Sequence, residues 1–69
     1  MKLKRVQSEM LIAAGYDRKS RILQVIFRTG ETYRYKGVPS SEYDGLMSAE
    51  SKGKYMHRHI LGRYPYERV

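Results

Sequence analysis

Arg21-Ile22-Leu23-Gln24-Val25-Ile26-Phe27-Arg28-Thr29-Gly30-Glu31-Thr32-Tyr33-Arg34-Tyr35 is the stretch that decides the fold. Its first eight residues are rich in β-branched and aromatic side chains, which pack well on a pleated surface. Successive strand residues face opposite ways, so Leu23, Val25 and Phe27 share one face and Ile22, Gln24, Ile26 and Arg28 share the other. After Thr29-Gly30 the alternation resumes, with Tyr33 and Tyr35 on one face and Thr32, Arg34 and Lys36 on the other. Two strands joined by a short turn are the expected result.

The turn admits two registers. A two-residue loop, Thr29-Gly30, pairs Ile26 with Tyr33 and puts both tyrosines on the Ile22/Gln24/Ile26 face, where they would form an open stacking platform. A three-residue loop with Gly30 in the left-handed region pairs Phe27 with Glu31 and Val25 with Tyr33. Thr-Gly is a poor pair for a tight two-residue turn, whereas glycine enters the left-handed region without a Cβ penalty. The three-residue loop is therefore favoured. It makes Tyr33 and Tyr35 mostly core, and it leaves Arg28, Thr32, Arg34 and Lys36 on a basic face with Ile22 and Ile26 between them.

Working outward, Met10-Leu11-Ile12-Ala13-Ala14 is an apolar run closed by Gly15 and Asp17, and it reads as a further strand. Downstream, Val38-Pro39 ends the ladder, because proline has no N–H to donate. Ser40 or Ser41 can cap a helix, and Ser41 with Asp44 matches a capping box with Asp in the usual Glu place. Tyr43, Leu46 and Met47 then form one apolar helical face, and Gly45 weakens that helix by about 1 kcal/mol relative to alanine. A second helix is expected from near Ser51 to about Leu61, with Met56 and Ile60 inward, Lys54 and Arg58 outward, and Gly62 suited to its end. Tyr64-Pro65-Tyr66 reads as extended, since the residue before proline avoids the helical region. The predicted fold class is α+β: a three-stranded antiparallel meander followed by two helices packed on one face. It occupies one domain, 1–69, with basic N-terminal residues 1–8 and an extended C-terminal tail 63–69.

The chain has 69 residues, 14 Lys+Arg against 7 Asp+Glu, and a formal net charge of +7. That length limits it to one domain with a small core. It has no cysteine, which excludes disulfides, thiolate metal sites and thiol nucleophiles. No apolar run is long enough to span a bilayer, and the basic N-terminus is not followed by the apolar region of a signal peptide. A cytoplasmic location is expected, that of the host if the chain is phage-encoded. The charge is uneven: residues 1–28 carry net +5, residues 29–50 net −2 and residues 51–69 net +4. Glu42 and Asp44 in a first helical turn give the acidic middle a structural cause. The two basic segments have none, and they point to an anionic partner.

Taken together, Gly15-Tyr16-Asp17, Leu23-x-Val25-x-Phe27, Gly30, Tyr33-Arg34-Tyr35, Val38-Pro39, Ser51-Lys52-Gly53-Lys54-Tyr55, His59-Ile60 and Tyr64-Pro65-Tyr66 resemble the KTSC domain family. The resemblance covers nearly the whole chain. Such domains resemble appendages at the C-terminus of some lysyl-tRNA synthetases and also stand alone in bacteria and phages. The resemblance implies RNA binding but defines no functional residues to carry over. His57 departs from the pattern, since relatives often have asparagine there.

The side chains favour phosphate recognition over catalysis. His57 and His59 are two apart, so on a helix they point roughly 200° from each other and cannot share a metal ion. No carboxylate completes a zinc-ligand spacing with them. His57, Arg58 and Tyr55 include the residue types of a metal-free ribonuclease, but no catalytic pattern surrounds them. Arginine outnumbers lysine, and its planar fork suits bidentate phosphate contacts. The expected anion-binding residues are Arg28, Arg34 and Lys36 on the sheet with Lys54, Arg58 and Arg63 at the second helix and its exit. Tyr16, Tyr64 and Tyr66 are the stacking candidates. No cofactor or metal is expected. The leading reading is a non-catalytic RNA-binding module. The alternatives are an oligomeric binder or sponge of a phosphorylated small molecule such as a signalling nucleotide, and a protein-interaction module that assembles through the Ile22/Ile26 face.

Overall fold

The computed structural model describes all residues, 1–69. The turn at Arg28-Thr29-Gly30 takes the three-residue form. The Phe27 N–H donates to the Glu31 carbonyl at 2.9 Å and the Gly30 N–H to the Phe27 carbonyl at 2.9 Å. Gly30 has φ +98°, which L side chains rarely adopt. The hairpin pairs strand β3 (Ile22–Phe27) with β4 (Thr32–Tyr35), Val25 opposite Tyr33 and Leu23 opposite Tyr35. The favoured register is therefore the observed one.

The expected three-stranded meander is not what forms. The sheet has five antiparallel strands in sequence order. They are β1 (Leu3–Arg5), β2 (Leu11–Asp17), β3, β4 and β5 (Tyr66–Arg68). Strand β1 pairs with β2 through Lys4 and Ala14, and β5 pairs with β4 through Tyr66 and Tyr35. The meander offers unpaired backbone groups along both edges, and the chain ends fill them. The Lys36 N–H donates to the Pro65 carbonyl and the Val69 N–H to the Thr32 carbonyl, each at 2.8 Å. Between β2 and β3 the chain reverses at Asp17, which accepts the Arg21 N–H on its carbonyl and the Lys19 N–H on its carboxylate. The Ser20 hydroxyl and then the Lys19 N–H hold the Asp17 carboxyl below the usual carboxylate range. Arg21 has φ +59°.

Helix α1 (Ser40–Ser48) and helix α2 (Lys52–Tyr55) connect β4 to β5. Neither Ser40 nor Ser41 caps α1. Pro39 holds the cap position, with no side-chain bond there, and its carbonyl accepts the Glu42 N–H. Asp44 pairs instead with Arg18 at 3.5 Å. Ser51 does cap α2, its hydroxyl accepting the Lys54 N–H. The second helix is not regular to Leu61: it widens at Met56–Ile60 into a π-helical turn, closed by a 2.8 Å bond from the Leu61 N–H to the Met56 carbonyl.

Leu46, Met56 and Ile60 pack on Leu11, Ala14, Leu23, Val25, Tyr35 and Val38 in one core. Each of these nine side chains is almost fully buried. Burial of a Leu, Ile or Met side chain is worth about 1.5–3 kcal/mol, so this cluster fixes the helices on one face of the sheet. The opposite face carries half-buried Ile22, Gln24, Ile26 and Arg34. There the Arg34 Nε–H donates to Gln24 Oε1 at 2.8 Å.

Candidate nucleic-acid interface

Three loops converge at one end of the helix layer. Ser8 shapes the first: its hydroxyl accepts the backbone N–H groups of Met10 at 3.1 Å and Leu11 at 3.2 Å. Arg28 pins the same loop from the hairpin, its Nε–H donating to the Ser8 carbonyl at 2.6 Å and its backbone N–H to the Met10 carbonyl at 3.0 Å. Across from this loop stand the Ser51-capped start of α2 and His57 in the wide turn. Between them lies a cleft of about 650 Å³ whose walls include Ser8, Ser51, Lys52, Lys54 and His57. Met10 closes it against Gly53, where even a methyl group would be in van der Waals contact at 3.5 Å. A second groove, of about 290 Å³, runs along the outer side of α2 past Lys54, Tyr55, Arg58 and His59. Lys54, Ser51 and Glu50 line both.

The cations here are not neutralised by ion pairs. The carboxylate pairs of the molecule are Arg18–Asp44, Lys36–Glu67 and Arg68–Glu31, with His59 near Glu42. Lys54 and Arg58 are exposed without such a partner. Lys52 is half-buried and donates to the Ala49 carbonyl at 2.9 Å, and the Arg63 Nε–H donates to the Arg58 carbonyl at 2.9 Å. Residues 51–63 contain no acid at all. Glu9 and Glu50 do line the first cleft, so its positive charge is concentrated on the α2 side. In the groove, Tyr55 and His59 stack with centroids 4.2 Å apart and planes at 21°. The Tyr55 hydroxyl donates to Glu42 Oε1 at 2.6 Å, and burial, then that bond, pushes the phenol up to about 12.

The sequence-predicted anion contacts divide into two groups. Lys54, Arg58 and Arg63 come together on the helix side. Arg34 and Lys36 extend from the opposite face of the sheet, where Arg34 is bonded to Gln24 and Lys36 lies 3.8 Å from Glu67. Arg28 is at the hairpin end, holding the Ser8 loop. Of the stacking candidates, Tyr16 is half-buried: it stacks on Tyr43 at 5.3 Å and donates to the Val38 carbonyl. Tyr64 packs against the core. Tyr66 is exposed, and its ring stacks on Tyr33 at 5.1 Å. Sequence reasoning did not single out Ser8, and it named Ser51 and Lys52 only within the family motif and at the start of the second helix, not as site residues. The start of a helix near Ser51 was legible, but its capping hydroxyl and its place opposite Ser8 emerge only in the fold.

A small antiparallel α+β domain with an unneutralised cationic end is the class that this geometry defines. The family pattern described as the KTSC domain matches residues 7–64, and the chain belongs to that family. The crystal structure of a KTSC domain protein from Yersinia pestis is 34% identical, with a TM-score of 0.97 over 99% of this chain and 96% of that one. The two edge strands are thus shared with that neighbour. A protein of Tsukamurella paurometabola is 39% identical over 59 residues, 86% of this chain and 88% of that protein. A lysine–tRNA ligase of Nostoc punctiforme is 33% identical over 55 residues, which are 80% of this chain and 10% of the ligase. No helix is long and apolar enough to cross a membrane.

Proposed function

We propose that this chain is a non-catalytic RNA-binding module of the cytoplasm that holds the phosphate backbone along α2 and the wide turn after it. One observation carries the reading: Lys52, Lys54, Arg58 and Arg63 lie on an acid-free segment without carboxylate partners, beside an open cleft and groove. Cations left free of internal ion pairs are available to displace the counterions of a polyanion. The π-helical turn adds to this, since such turns are frequent at functional sites. The relation to a segment of lysine–tRNA ligases, enzymes named for an RNA substrate, supports RNA over other polyanions. Phosphate contacts alone position a strand without reading its sequence, so broad RNA affinity is expected.

The test is anisotropy with a labelled 12-nucleotide single-stranded RNA over a salt series. Log affinity should fall linearly with log salt, by about 0.7 for each phosphate contact. The double variant Lys54→Ala/Arg58→Ala should bind about tenfold more weakly, with a slope shallower by about 1.4. Salt-independent binding, or an unchanged double variant, would overturn the reading. Complete displacement of the RNA by a stoichiometric mononucleotide would favour the small-ligand alternative in its place.

A further inference from the structure

A second cleft, of about 480 Å³, opens under the β3–β4 hairpin, and Met10, Phe27, Tyr33, Tyr35 and Leu61 make its apolar lining. The helices do not reach this part of the sheet. The aromatic rings are held in place: Phe27 meets Tyr33 edge-on at 5.5 Å and 73°, and Tyr33 is braced by Tyr66. Tyr35 is 1% exposed, and its hydroxyl is buried with no hydrogen-bond partner. The Tyr33 and Tyr66 rings lie beside it, with centroids 6.4 and 5.6 Å from its own, but neither phenol hydrogen-bonds to it. Leaving a buried hydroxyl unpaired is costly, and such groups call for a specific cause.

We infer that this cleft is a base-binding subsite, which takes one unstacked base of an RNA strand whose phosphates lie along α2. Three features select that occupant. The lining is aromatic and apolar, which suits the π-face of a planar heteroaromatic ring. The volume falls within the range of sites for small ligands. Tyr35 lines the cleft while its unpaired hydroxyl is closed to solvent, so a base that opens this wall gains a donor for its ring carbonyl or ring nitrogen, for which a hydrocarbon ring or an aliphatic side chain has no acceptor. Continuity with the cationic cleft argues for a nucleic acid rather than a free aromatic compound, because Glu9 and Met10 line both clefts. A strand crossing Met10 would have its backbone on the lysine side and a base on the tyrosine side. Glu9, on the shared rim, has no ion-pair partner of its own and can accept from an exocyclic amine.

The inference rests on the RNA-binding reading, and two measurements separate them. The first is a titration of ¹³C-labelled protein with each of the four free ribonucleosides, followed by NMR. Saturable shifts at Phe27, Tyr33, Tyr35 and Leu61 are expected, and no shift there with any nucleoside overturns the subsite. The second compares the 12-nucleotide RNA with an abasic ribose-phosphate strand of equal length. The RNA should bind about tenfold more tightly. Tyr35→Phe, which keeps the ring and removes the donor, should reduce that preference about threefold, and Phe27→Leu should reduce it as well. Equal affinity for both strands, with a normal salt slope, overturns the subsite and leaves the RNA reading intact. Nucleoside shifts in the cleft without salt-dependent binding of either strand overturn the RNA reading, and with it the strand-bound role of the cleft.

Discussion

The Tyr55 hydroxyl occupies the space that a Cβ on Gly45 would need, and the ring behind it is also too near, with Cζ 2.7 Å and Cε2 3.0 Å from that position. Helix α1 and helix α2 therefore approach closely at a glycine, and the 2.6 Å bond from Tyr55 to Glu42 fixes the ring in the gap. Glycine inside a helix ordinarily costs about 1 kcal/mol relative to alanine. Here that cost is the condition for seating Tyr55. Gly45→Ala should destabilise the protein by about 1–2 kcal/mol despite its better helix propensity. In a domain of this size that lowers Tm by about 4–16 °C. The change should be smaller, or reversed, in a Tyr55→Ala background, because the ring is then gone. A thermal melt of the four proteins in this cycle checks the coupling.

Arg21 gives a prediction of opposite sign. Its φ of +59° is left-handed, and it is the one non-glycine residue in that region. A side chain with a Cβ is held there at a cost of about 1–2 kcal/mol. The conformation is set by the tight reversal, since the Arg21 N–H donates to the Asp17 carbonyl and its own carbonyl accepts the Val38 N–H. Arg21→Gly should raise stability by about 0.5–1 kcal/mol, part of the relief being lost to the freer unfolded chain. Urea midpoints measure it, and an unchanged midpoint would contradict the account.

The centre of the fold was legible because its signals are local. Gly30 fixed the hairpin register, and the register set which of Tyr33, Arg34 and Tyr35 faces the helices. Leu46, Met56 and Ile60 were legible as core from helical spacing. The edge strands were not. Leu3-Lys4-Arg5 and Tyr66-Glu67-Arg68 carry no apolar alternation and are mostly exposed, so nothing in them marks a strand. They become strands because β2 and β4 present open backbone edges, a property of the folded meander. The divided cationic group has a related cause. The alternation that puts Tyr33 and Tyr35 under the helices sends Arg34 and Lys36 to the other side, away from Lys54 and Arg58. The aromatic cleft depends on how far Leu61 and Met10 stand from the hairpin, and residue spacing does not carry that distance.

That division can be tested directly. Arg34 bonds to Gln24 on the sheet face remote from the helices. Arg34→Ala should change RNA affinity by less than about twofold and the salt slope by less than one contact. It should instead cost about 0.5–1.5 kcal/mol of stability, the ordinary worth of a hydrogen bond. An Arg34→Ala effect as large as that of Lys54→Ala/Arg58→Ala would place the strand on the open sheet face and refute the α2 assignment.

Two tyrosines should make the fold sensitive to alkali. Tyr35 is pushed up to about 12, chiefly by burial and then by the neighbouring Tyr33 and Tyr66 phenols. Tyr55 is pushed up to about 12, by burial and its bond to Glu42. In the unfolded chain both ionise near 10, so the folded state holds these two protons more tightly. A group whose pKa is raised by folding contributes stability that is complete below its unfolded value and is lost as pH rises toward its folded value. Stability should therefore be insensitive to these phenols below about pH 9 and fall between pH 10 and 12. Two of the seven tyrosines should ionise last in a titration followed by absorbance near 295 nm, a tyrosinate band. Tyr35→Phe should remove one of them and make the fall in urea midpoint between pH 9 and 11.5 shallower. A Tyr35→Phe protein with the same alkaline slope as the wild type would show that this hydroxyl is not sealed in the core.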